Sequence, residues 1–188
     1  MDFYVALGQQ IFNEGEYSVT PIRFEDRFLI MKWRNEQIYH LRQDKVLTTE
    51  DQDNYFNNVI AKEFNEDRPS QILFSFLKNG CSIGYGGLVH INWIDKHAEI
   101  SFIMQTELEL KYFHTCWIHF LKMLGKVSFS YLGLHKIFTY AFDLRPHLYI
   151  ALQEAGFKKE ATLKEHCFFE NKYIDVVIHS KINNIGNV

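Results

Sequence analysis

The stretch HAEISFIMQTELELKYFHTCWIHFLKMLG, residues 97–125, joins a strand pattern to a helix pattern, and its reading decides the fold. From His97 to Met104 the residues alternate. Ala98, Ile100, Phe102 and Met104 fall on one face of an extended chain, and His97, Glu99 and Ser101 on the other. From Phe113 the period changes: Phe113, Cys116, Trp117, Phe120, Leu121 and Leu124 recur at helical spacing as one apolar stripe, with Gly125 as its expected stop. A half-buried strand feeding an amphipathic helix is a building unit of a mixed α/β domain.

Working upstream, Gln71 to Leu77 and Cys81 to Trp93 read as two strands joined at Asn79-Gly80, a dipeptide that takes positive φ at both positions. Gly84, Gly86 and Gly87 interrupt the second strand. They fit either a twisted hairpin or a place where a ligand or another chain comes close to the backbone. Thr49 to Phe64 reads as a helix capped by Thr48 or Thr49, Glu25 to Asn35 as another, and Tyr17 to Arg23 as a strand. Residues 1–16 carry little pattern and read as a leader before a single domain, 17–188. Downstream, Lys136 to Phe142 is a strand, Pro146 opens a helix that Gly156 ends, and Leu163 to Phe169 and Tyr173 to Ser180 form a hairpin turning near Asn171. The predicted class is α/β (α+β on some schemes), with a mixed, mostly antiparallel central sheet flanked by helices.

Composition narrows the function. A chain of 188 residues with 47% hydrophobic and 16% aromatic content buries a substantial core. Its net charge of −3 offers no basic excess for phosphate backbones, so no nucleic-acid partner is expected. Cys81, Cys116 and Cys167 are far apart and odd in number, which suits reduced thiols in a cytoplasmic protein. The N-terminus lacks a signal-peptide pattern, and no apolar run approaches the roughly 20 residues that span a bilayer; no membrane partner is expected. His114 and His119 lack a carboxylate or thiol at ligand spacing, so no metal is expected either.

Six strings in order resemble one family. They are Trp33-Arg34-Asn35; Ile83-Gly84-Tyr85-Gly86-Gly87-Leu88; Ala98-Glu99-Ile100-Ser101-Phe102; Leu134-His135-Lys136-Ile137; Arg145-Pro146 with Glu154-Ala155-Gly156-Phe157; and Gly156 to Ala161 with Leu163 to His166 and Asn171 to Val177. Over roughly residues 17–180 the chain is similar to the GNAT acyltransferase superfamily, in its RimJ/RimL-like branch. The resemblance implies the GNAT fold, acetyl-CoA as co-substrate, and a primary amine on a small molecule as acceptor. A nucleotide-linked amino sugar is favoured over a protein N-terminus, and a monomer or homodimer is expected.

The same resemblance distributes the roles. A thioester would lie in the splay beside Phe102, Ile103 and Met104, with a backbone N–H as oxyanion donor. Gln105, Lys111, Tyr112 and Arg145 would surround the coenzyme's phosphates. Glu99 would be the general base and His97 the second candidate. Leu152 stands where relatives carry a tyrosine acid, and Tyr149 lies three residues earlier on the same helix face, as a replacement hydroxyl or as packing. Trp33, Arg34, Asn35 and Tyr85 would meet the acceptor, Arg34 offering a planar fork for a phosphate or carboxylate. The phosphate loop departs from the family pattern. No glycine follows Gln105, and Glu107 and Glu109 put negative charge beside a phosphate site. That departure keeps open a second reading, a GNAT-fold binding module without catalysis.

Overall fold

In the computed structural model, which describes residues 3–183, the strand of the opening stretch is the fifth of eight. The strands are β1 (Phe12–Glu14), β2 (Tyr17–Pro21), β3 (Ile72–Lys78), β4 (Cys81–Asn92), β5 (His97–Met104), β6 (Lys136–Phe142), β7 (Lys158–Phe169) and β8 (Lys172–Ile182). The helices are α1 (Arg27–Glu36), α2 (Thr49–Tyr55), α3 (Ala61–Phe64), α4 (Thr106–Lys126) and α5 (His147–Glu154). One sheet contains all eight strands in the order β1-β2-β3-β4-β5-β6-β8-β7, and of its pairings only β5 with β6 is parallel. Residues 184–188 of the expected domain, and the first two of the expected leader, lie outside the described residues.

Local chemistry sets most of these boundaries. Asn79 (φ 48°) and Gly80 (φ 82°) turn β3 into β4, and Glu170 (φ 46°) and Asn171 (φ 61°) turn β7 into β8. Both pairs supply the positive φ that a two-residue hairpin turn requires. Thr48 and Asp51 close a reciprocal capping box on α2; a π-helical turn, Phe56–Ile60, then links α2 to α3. Helix α5 ends in a Schellman motif: Phe157 N–H donates to Leu152 and Gly156 N–H to Gln153, with Gly156 at φ 84°.

Two expectations are corrected, and one left open is narrowed. Gly125 does not stop α4, which continues to Lys126 and then through a π-helical turn, Val127–Tyr131. A helical glycine costs about 1 kcal/mol, and the burial of Leu124 and Val127 on either side of it offsets that. The first residues are not a mere leader, since Tyr4, Leu7 and Phe12 are buried in the core and β1 pairs with β2. The Tyr4 hydroxyl accepts from Leu73 N–H (2.9 Å) and donates to Leu73 C=O (3.0 Å). The Leu73 carbonyl also accepts from Ile22 N–H (3.0 Å), just beyond the end of β2 at Pro21, so Tyr4 matters most as the acceptor for the Leu73 N–H. For the glycines of β4, where the alternatives were open, the structure shows close approach by the neighbouring strands. A Cβ on Gly86 would stand 2.2 Å from the Ser101 carbonyl oxygen, and one on Gly87 would stand 2.0 Å from that of Ile72.

Phe102 stacks on Trp117 with centroids 4.7 Å apart and lies 4.6 Å from Phe120, so that face of β5 packs on α4. Glu99 and Ser101 belong to the opposite face.

Candidate active site

The β5–β6 ladder is short. It pairs His97 with Lys136, Ala98 with Ile137 and Glu99 with Phe138, and no pairing follows. Beyond it the strands diverge, each held on its outer side, β5 by β4 and β6 by β8. The gap is a cavity of about 660 Å³ lined by Glu99 to Phe102 of β5, Thr139 to Phe142 of β6, Trp117 of α4 and Leu152 of α5. A second cavity of about 360 Å³ lies against α1 and α2, and Arg34, Gln71, Val89 and Ser101 line both.

Glu99 is the buried carboxylate of the larger cavity, 6% exposed. One of its oxygens pairs with the Arg42 guanidinium. The other meets His90 Nδ1 at 2.9 Å. His90 sits at a bulge of β4, between Val89 and Asn92, with φ at 50°. Positive φ at a residue with a side chain is strained, and such strain clusters at functional sites. The bulge lets the exposed imidazole reach across to the next strand. Arg42 also lies 4.7 Å from the centroid of the Tyr140 ring. Its loop is held by Asn35, whose side chain takes both backbone groups of Leu47 (2.8 and 2.9 Å) and one Gln43 N–H (3.1 Å).

Two further groups in the cavity have ordinary chemistry suppressed. Burial, and then the charge of Arg145, push the His40 imidazole down to about 3, so it is neutral at physiological pH. Burial first, and then Cys167 at 3.5 Å, push the Tyr140 hydroxyl up to about 12, so it keeps its proton. Trp117 Nε1 and Thr139 Oγ1 are buried here without a hydrogen-bond partner. Two unpaired polar atoms and two open strand edges suit an extended chain carrying amide groups, such as the pantetheine arm of coenzyme A.

At the start of α4, Gln105 N–H donates to Ile83 C=O, and the helix begins at once. Both glutamates of its first turn have cations: Glu107 pairs with Lys32 at 2.8 Å and Glu109 with Arg145 at 2.6 Å. The Lys32 ammonium, followed by the residue's own backbone N–H, holds the Glu107 carboxyl below its ordinary range.

The structure brings Glu99, Phe102, Arg145, Arg34 and Tyr85 to the two cavities. It does not bring the other expected site residues there. His97 packs on Phe138 at 5.9 Å, outside the lining. Ile103 and Met104 are buried in the core, and the Met104 carbonyl accepts from Gln37 (2.8 Å). Lys111 sits 5.0 Å over the Tyr112 ring on the surface. Trp33 is a core residue, and Asn35 holds the Arg42 loop. The Tyr149 hydroxyl donates to Asp143 (2.7 Å), while Tyr140 is the tyrosine that lines the cavity. Arg42, His90, His40 and Tyr140 carry no local pattern that marks them in the sequence. Among the described residues no group of three or more His, Cys, Asp or Glu side chains is arranged to hold a metal ion, and no helix is long and apolar enough to cross a membrane.

Known proteins share this architecture. Spermidine N-acetyltransferase from Vibrio cholerae, solved in complex with CoA and spermine, superposes with a TM-score of 0.76 at 21% identity, over 90% of this chain and 96% of that one. A dodecameric structure of the spermidine N-acetyltransferase from Vibrio cholerae, in an intermediate state, gives 0.71 at 22% identity, over 90% of this chain and 95% of that one. At these identities the likeness is one of fold. By sequence, the chain is 34% identical to the spermidine N(1)-acetyltransferase of Vibrio cholerae serotype O1 over 94 residues, 50% of this chain and 53% of that protein. It thus spans about half the length of the curated relative it matches. The family model described as the acetyltransferase (GNAT) domain matches residues 21–178, from the end of β2 to β8. With the splayed parallel pair as its structural mark, the chain belongs to the GNAT acetyltransferase family.

Proposed function

We propose that the chain transfers an acetyl group from acetyl-CoA to a primary amine. The observation that carries this reading is the splay of β5 and β6, which opens a cavity directly beyond the buried Glu99. The thioester supplies an activated acyl group; the chain supplies the rest. The unpaired edge of β5 from Ile100 onward, with Trp117 Nε1–H and Thr139 Oγ1, is available to hold the donor's amide-bearing arm. With His90 Nδ1 donating to Glu99, Nε2 keeps its lone pair. The Glu99–His90 pair then takes the proton that an ammonium acceptor must lose. Arg42 holds the carboxylate from the other side. The protonated Tyr140 hydroxyl supplies a proton to the departing thiolate.

The acceptor is open between chemistries. The strings quoted above resemble the RimJ/RimL-like branch and favour a nucleotide-linked amino sugar, with a protein N-terminus as its alternative. The relatives act, by their names, on spermidine. The test is thiol release from acetyl-CoA by the full chain with a panel of spermidine, glucosamine, amino-sugar nucleotide and peptide amines. Glu99→Gln should lower kcat about 10²- to 10⁴-fold and leave coenzyme A binding intact. No transfer to any amine, together with no binding at millimolar coenzyme A, would sink the reading. The second reading, a binding module without catalysis, rests on the first turn of α4, where Glu107 and Glu109 engage the cations a pyrophosphate would use.

A further inference from the structure

Arg34 sits where the two cavities meet, and its charge is not answered. Its Nε donates to Gln43 Oε1 at 3.0 Å and its Nη1 to the Tyr85 hydroxyl at 2.7 Å. Nη2 donates to no described residue, and no described carboxylate pairs with the guanidinium. The other charges of these walls are engaged. Arg42 pairs with Glu99, Arg145 with Glu109, and Asp51 with Thr48 and Lys45. His40 is neutral at physiological pH. A half-buried cation without a counter-ion has lost part of its hydration, and an anion bound to its free N–H groups would compensate for that loss. Neighbouring donors on the shared wall are also free. Gln71 accepts from the Tyr55 hydroxyl through Oε1, which leaves its amide N–H₂ unengaged, and the Ser101 hydroxyl makes no hydrogen bond to described residues.

We propose that Arg34, with Gln71 and Ser101 beside it, anchors an anionic group of the acceptor, a carboxylate or a phosphate, in the chamber next to Glu99. The acceptor is then an amine that carries its own anion, and a polycation is disfavoured. This deepens the acetyl-transfer reading and rests on it for the word acceptor. The anion site itself stands on the geometry of Arg34. A guanidinium presents parallel N–H groups that match either oxyanion, so the chemistry is shared and the substrate pairs below separate its sources.

The test compares acceptors that differ by one anion: glucosamine 6-phosphate against glucosamine, and 4-aminobutyrate against butylamine, with spermidine as the polycation. For the full chain, kcat/KM should be about 10- to 100-fold higher for the anionic member of one pair, and the pair identifies phosphate or carboxylate. In Arg34→Met that ratio should fall to about one, and Arg34→Lys, which keeps the charge but not the fork, should lie between. A readout independent of turnover is the melting shift caused by inorganic phosphate and by acetate. One of them should stabilise the wild type, and neither should stabilise Arg34→Met. If Arg34→Met does not fold, Arg34→Lys and Tyr85→Phe, which frees Nη1 without removing charge, carry the comparison. Spermidine or the neutral amines as the better acceptors, or an anion effect untouched at Arg34, would overturn the proposal while leaving acetyl transfer intact. An Arg34-dependent melting shift with no transfer to any amine would uphold the anion site and defeat the acetyl-transfer reading.

Discussion

Replacing Glu109 by Gln isolates the contribution of the α4 first turn. In the structure its carboxylate takes a 2.6 Å hydrogen bond from Arg145, with the two side chains 14% and 15% exposed. Gln keeps an acceptor oxygen in place, so the geometry can persist while the charge attraction goes. A hydrogen bond to a charged group contributes about 1.5–3 kcal/mol, and most of that is lost. The ligand-free protein should therefore be about 1–3 kcal/mol less stable. At about 2–4 °C per kcal/mol for a domain of this size, the midpoint should drop by about 2–12 °C. Coenzyme A binding should move the other way. At about 8 Å and an effective dielectric near 40, one unit charge acts on another with about 1 kcal/mol. Removing the carboxylate from beside two phosphate charges then tightens binding about 5- to 30-fold. Arg145, left without its partner, can face the phosphates directly. Calorimetric titration with coenzyme A at low and high salt reads this, and the gain should shrink as salt screens it. A folded Glu109→Gln that binds coenzyme A no tighter, or more weakly, would refute the assignment of this helix end to the donor phosphates.

Two other outcomes concern the stability of the ligand-free chain. Tyr4→Phe leaves the buried Leu73 N–H without its 2.9 Å acceptor. It should cost about 1–3 kcal/mol, read as a lower urea midpoint with an unchanged m-value; a neutral result would mean that the N-terminal segment does not hold β3. The His40 imidazole is held near 3 in the folded chain against an ordinary 6.5. The unfolded chain accepts a proton below about 6.5 that the folded chain refuses, so this contribution is complete above that pH and is lost as pH falls toward 3. His40→Gln should flatten the decline in stability between pH 7 and pH 4.5, and an unchanged slope would show that His40 is not the group responsible.

Much of the fold is legible in short windows of the sequence. The alternation from His97 to Met104, the stripe from Phe113 to Leu124, the Asn79-Gly80 turn, the Thr48 cap and the Gly156 stop each depend on neighbours within a few residues. Backbone geometry and side-chain period act over that range, and a single chain displays them. Glu99 could be named as a candidate as well, through the resemblance of the Ala98–Phe102 string to the family. What surrounds it was decided in three dimensions. Arg42 is 57 residues from Glu99, and Glu109 is 36 from Arg145. No local period relates such positions; their meeting follows from strand order and from the divergence of β5 and β6. The meaning of the β4 glycines also needed the sheet, since only the neighbouring strands show what a Cβ would strike. The sequence by itself determined most of the elements and their order from Tyr17 onward, through forces that act between near neighbours. The tertiary structure decided which charges are answered and which are left open, because burial and pairing depend on residues that meet only when the chain is folded.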